Sequence, residues 1–225
     1  MIDTKWPRAG MRPRASGCAE WFLFAAILVA VALVLANPNR SAAESPQCIV
    51  PSDVPAEAAT KWCISVKRNG VGRTYAGIAM DQRVAGRFCE ALRLAKRGAE
   101  LGSEFGYVVM GDVKLRGECE PRDIPAAIAA FEEAMKLRDH VASSRLTQIY
   151  EGRFGQEYRD LEKAIMWRWA DYLIHAYPDE GLERNYGRRL GLSDAQIDEG
   201  RERMRRWLVE RKVVMRPRCG DRPCP

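Results

Sequence analysis

From residue 86 onward, apolar residues in this 225-residue chain recur every three to four positions. In IPAAIAAFEEAMKLR (124–138), Ala127, Ile128, Phe131, Ala134 and Met135 sit at i, i+1, i+4, i+7 and i+8. That spacing puts one apolar stripe on a helix. Ala91, Leu92, Ala95, Gly98 and Ala99 hold the same offsets, and a third segment, DLEKAIMWRWADYLI, aligns through Ala164-Ile165. The Ala-Leu/Ile pairs are 36 and then 37 residues apart. Two of these helices follow another predicted helix, SEFGYVVMGDVKLRG and VASSRLTQIYEGRFG, each ending in glycine, which suits a left-handed helix cap. The pattern predicts a helix–turn–helix unit of about 36 residues. Such a unit cannot bury its apolar face alone and must stack on neighbours.

LTQIYEGRFGQEYRDLEKAIMWRWA resembles the Sel1-like repeat, a relative of the tetratricopeptide repeat. The matching positions are Leu146, Tyr150, Gly152, Asp160, Lys163, Ala164, Ile165 and Trp167. The middle unit matches at Met110, Gly111, Gly117, Asp123, Ala127, Ile128 and Phe131, with Lys114 at the place of the tyrosine. The first unit keeps only its second helix. The resemblance implies an all-α fold. It is an α/α superhelical solenoid of two to three helix pairs over residues 61–192.

The flanks extend this reading. In KWCISVKRNGVGRTYAGI (61–78), Asn69-Gly70 lies between β-type residues and signals a hairpin; the alternative is a degenerate first repeat. Residues 193–212 read as a capping helix, with Ser193 at its N-cap and Ile197, Met204 and Leu208 facing inward. Residues 213–225 form a tail rich in Cys, Pro and Arg.

The N-terminus has a different period. Residues 21–36, WFLFAAILVAVALVLA, are sixteen consecutive apolar residues after a basic leader, 1–20, and before a linker, 37–60. Sixteen helical residues rise about 24 Å, against a hydrocarbon core of about 30 Å. The segment is either a membrane anchor or a cleaved signal peptide, with the N-terminus inside in both cases. The expectation is a single-pass inner-membrane protein whose C-terminal domain lies in the periplasm. The alternative is a periplasmic or secreted chain.

Composition agrees with a globular body, at 47% hydrophobic and 29% charged residues. The net charge of +6 resides at the two ends, because residues 1–20 and 200–225 together exceed it and the middle is slightly acidic. No nucleic-acid partner is expected. Downstream of the apolar run stand six cysteines: Cys48, Cys63, Cys89, Cys119, Cys219 and Cys224. Their even number suits disulfides in an oxidising compartment. Six cysteines allow fifteen connectivities. Cys219 with Cys224 closes the shortest loop; Cys89 with Cys119 and Cys48 with Cys63 follow by elimination.

No catalytic or metal motif is present. His140 and His175 lie near predicted helix ends with no positioned nucleophile, and Glu132-Glu133 reads as a solvated pair. No cofactor, metal or small-molecule substrate is expected, and the chain reads as a non-enzyme. By resemblance, it acts as a protein–protein interaction adaptor or regulator of an envelope process. The alternative is a cysteine-rich envelope hydrolase acting on cell-wall material. In a solenoid the first helix of each pair lines the inner face. Lys114, Arg145 and Gln148, expected to be exposed there, are the candidate partner contacts.

Overall fold

The computed structural model describes residues 48–174 and 180–215, with the backbone of 175, 218–219 and 222–223. The leader, the apolar run and residues 37–47 of the linker lie outside the described residues, as does the proposed Cys219–Cys224 bond. Among the described residues no helix is long and apolar enough to cross a membrane.

Helix α1, Ala59–Val84, is two helices joined at Gly70, whose φ of 75° and ψ of 169° are not helical. Along a continuous helix Trp62 and Tyr75 would stand about 20 Å apart. Instead their rings meet edge to face at 4.7 Å. Lys61 pairs with Asp81, and Glu57 reaches Arg87 at 3.2 Å. The chain therefore reverses at Asn69-Gly70, and the two arms of α1 pack antiparallel. The reversal signal was right in place, but it joins helices instead of strands. Gly70 is needed because a positive φ strains any residue with a Cβ.

Three helix pairs follow. The second arm of α1 packs on α2 (Phe88–Glu100), α3 (Glu104–Arg116) on α4 (Ile124–Lys136), and α5 (His140–Tyr150) on α6 (Leu161–His175). The first unit thus has both helices, as in the degenerate first repeat that was the alternative to a hairpin. Two more helices close the array: α7 (Glu180–Arg189), which the sequence pattern did not reveal, and α8 (Asp194–Glu210). A two-residue antiparallel pairing, Arg218 with Pro223 and Cys219 with Arg222, ends the chain.

The anchor alanines Ala91, Ala127 and Ala164 are fully buried where the second helices meet their neighbours. Phe131, Leu146, Ile165 and Trp167 are core residues; Met110, Ile128 and Tyr150 are half-buried. Gly111 meets Phe131 so closely that an added Cβ would sit 2.5 Å from the Phe131 ring. Helices α3 and α4 approach to that separation only over a residue without a side chain. Gly117 caps α3 in the left-handed conformation, and Gly152 also has positive φ.

Helix α8 starts with a full capping box between Ser193 and Gln196. It docks on α6 through buried Ile197, Met204 and Leu208. There Trp169 Nε1 donates to the Ile197 carbonyl at 3.0 Å, and Trp167 packs edge-on against Trp207 at 5.1 Å. Cys89 is bonded to Cys119, and Cys48 and Cys63 are also disulfide-bonded.

Candidate interaction groove

Residues of α1 and the starts of α3 and α5 together line an open groove of about 410 Å³. Helix caps set its geometry. Ser103 Oγ accepts from the Gly106 amide at 3.3 Å and starts α3. Asp139 Oδ1 accepts from the Val141 and Ala142 amides at 2.8 and 3.1 Å and starts α5. These starts place Phe105 and Val141 in first turns that line the groove. Asn69, Arg73 and Gly77 line it from α1, and Asp139 and exposed His140 from α5. Arg73 crosses to Glu104, an ion pair between α1 and α3. The lining combines two apolar side chains, Phe105 and Val141, with hydrogen-bonding and charged groups.

An ion ladder ties the same three helices together. Asp112, in the middle of α3, is 2% exposed. Arg145 of α5 grips it with Nε at 2.7 Å and Nη2 at 3.3 Å. Arg83 of α1 reaches it at 3.5 Å and holds Glu118 through two bonds of 2.7 and 3.0 Å. Burial pulls the Arg83 pKa down. The Glu118 hydrogen bond and the charges of Asp112 and Glu118 together outweigh it and hold the guanidinium above its ordinary value. The Cys89–Cys119 bond fastens the start of α2 to the residue after Glu118.

The structure changes the standing of the residues chosen from sequence. None of the three is fully exposed. Lys114 is half-buried and paired with Glu120 at 3.3 Å. Arg145 is committed to Asp112, so it is a structural tie and not an open contact. Gln148 Nε2 donates to Ser144 Oγ at 3.4 Å. Glu132 is not a solvated acid either. Burial pushes its carboxyl up, with Arg211 and Lys136 pulling the other way. Sequence reasoning missed Arg73, Phe105, Asp112 and Asp139. Only Asp112 left a signal: a lone acid inside the apolar run YVVMGDV needs a cation once buried.

Two other hollows lie elsewhere on the described residues. One of about 630 Å³ lies along the end of the α3–α4 loop and the start of α4, residues 120–125, beside Glu157 and Tyr158. One of about 200 Å³ separates the start of α6 from α8. Among the described residues no group of three or more His, Cys, Asp or Glu side chains is placed to hold a metal.

Neither protein-family models nor curated proteins match this chain. A solved structure does. The protective antigen c5321, present in uropathogenic Escherichia coli strains and displaying an SLR fold, superposes with a TM-score of 0.52 at 17% identity. The match covers 71% of this chain and 34% of that one, so the chain spans about a third of the antigen's length. At this identity the likeness is one of fold. The helix pairs described above have the Sel1-like repeat fold.

Proposed function

We propose that the chain is a protein–protein interaction module, exported and held at the inner membrane, whose groove between α1, α3 and α5 receives a segment of a partner protein. The carrying observation is the groove itself. Three consecutive repeats contribute to one lining that combines Phe105 and Val141 with Asn69, Arg73 and His140. A stacked-repeat scaffold of this kind presents an extended surface to a partner segment. Gln148 and Lys114, half-buried on α5 and α3, would extend the contact beyond the groove. The export reading is supported by the basic leader before residues 21–36 and by disulfides at Cys48, Cys63, Cys89 and Cys119.

The test is site-specific photo-crosslinking of the full chain in its own membranes. A crosslinker at His140 should yield a discrete protein adduct, and one at exposed Arg159, away from the groove lining, should not. Equal yields at both positions would dismiss the groove. A phosphatase fused after Pro225 should be active; an inactive fusion would dismiss export while leaving the groove intact.

A further inference from the structure

The first arm of α1 begins the array, and among the described residues one of its faces is covered by no other helix. Thr60, Lys61, Ile64, Lys67 and Arg68 are all exposed. At about 100° per residue they fall within one half of the helix surface. Ile64, at its centre, is 66% exposed. Lys61 is paired with Asp81, whereas Lys67 and Arg68 have no acidic partner among the described residues. The opposite side of this arm is the packed one, with Trp62 buried against Tyr75. End repeats of a solenoid ordinarily turn a polar face to solvent. Here a large aliphatic side chain stands between unpaired cations.

In sequence this arm is also the part of the folded body nearest the apolar run. Only 22 residues, 37–58, separate Ala36 from the start of α1. We propose that this face docks on the anionic phospholipid surface of the membrane that holds the chain, with Ile64 entering the interface and Lys67 and Arg68 meeting lipid phosphates. The inference rests on the anchor reading above. Cations near an anionic surface act independently of any specific fold, and two of them raise surface affinity roughly 30-fold. A tether of this length makes the encounter intramolecular, so a weak face suffices.

The experiment is amide hydrogen exchange on the full chain, reconstituted in discs of phosphatidylcholine alone or mixed with phosphatidylglycerol. Exchange across residues 60–69 should slow several-fold in the anionic discs only. The Lys67→Glu/Arg68→Glu pair should return it to the neutral-disc rate. Equal exchange in both discs, or protection that survives the double reversal, overturns docking. Protection that grows with protein concentration in detergent alone assigns the face to a second copy and also overturns it. Alkaline carbonate extraction reports separately on the anchor. If it releases the chain, the anchor fails, and the released full chain with saturating anionic vesicles decides docking by the same exchange readout.

Discussion

Replacing Arg145 should damage the fold before it affects binding. Asp112 is almost completely buried, and Arg145 supplies its two shortest bonds, 2.7 and 3.3 Å. Arg145→Ala leaves a buried carboxylate whose remaining cation, Arg83, stands at 3.5 Å and is shared with Glu118. Removing one partner of a buried pair costs about 3–5 kcal/mol when the remaining charge has no compensation. Arg83 compensates part of it, and the Arg145 side chain is 26% exposed, so about 2–3 kcal/mol is expected. Arg145→Glu adds a second carboxylate at the same place and should cost about 3–5 kcal/mol. Urea unfolding of the full chain, followed by far-ultraviolet circular dichroism, measures both. Asp112→Asn with Arg145→Met should be milder than the sum of the single changes, with a coupling of about 1–3 kcal/mol. A cost for Arg145→Ala within about 0.5 kcal/mol, the range of an exposed substitution, would refute the ladder. The same reasoning means that lost binding in Arg145→Glu says nothing about docking.

Three further outcomes follow from the packing. Gly111→Ala should cost about 1–3 kcal/mol by overpacking against Phe131, and Phe131→Leu in the same chain should recover part of it in thermal melts. Exchanging Cys89 and Cys119 for serine should lower stability by about 3–4 kcal/mol, the chain-entropy value for a loop of this length; a loss under about 1 kcal/mol contradicts it. Glu132 has its folded pKa raised by burial, so its favourable contribution is complete below the ordinary carboxylate value and is lost as pH rises through the raised one. Glu132→Gln should therefore melt higher than the parent near neutral pH. That advantage should vanish below about pH 4; an advantage constant across pH would contradict the assignment.

Much of the architecture was legible because repetition multiplies a weak signal. Any one of Ala91, Ala127 and Ala164 is an ordinary helical alanine, but their common spacing reports stacking. Ser193 and Gly117 were legible because caps are local chemistry. The α1 turn was half-legible: Asn69-Gly70 signals a reversal whatever elements it joins, and the β-branched residues around it suggested strands. Tertiary packing of Trp62 on Tyr75 decided for helices. Helix α7 was silent because EGLERNYGRR has no apolar stripe and Leu182 points to solvent. The groove and the ladder were nearly invisible. Arg145 and Asp112 are 33 residues apart, and nothing in sequence shows which helical faces will meet across repeats. Exposure was misjudged at Arg145 for that reason.

Gly77 offers the most direct test of the groove. It lines the groove from α1, and a Cβ there meets nothing within 4 Å. Gly77→Leu would therefore start its side chain in open space and project into the groove, while improving helix propensity by up to about 1 kcal/mol. The measurement is the yield of the His140 photo-crosslinked partner adduct in the parent and in Gly77→Leu, with thermal melting of both full chains. The account predicts an unchanged or higher melting temperature together with loss of the adduct. A full adduct yield from the filled groove, in a chain that melts no lower, would contradict it.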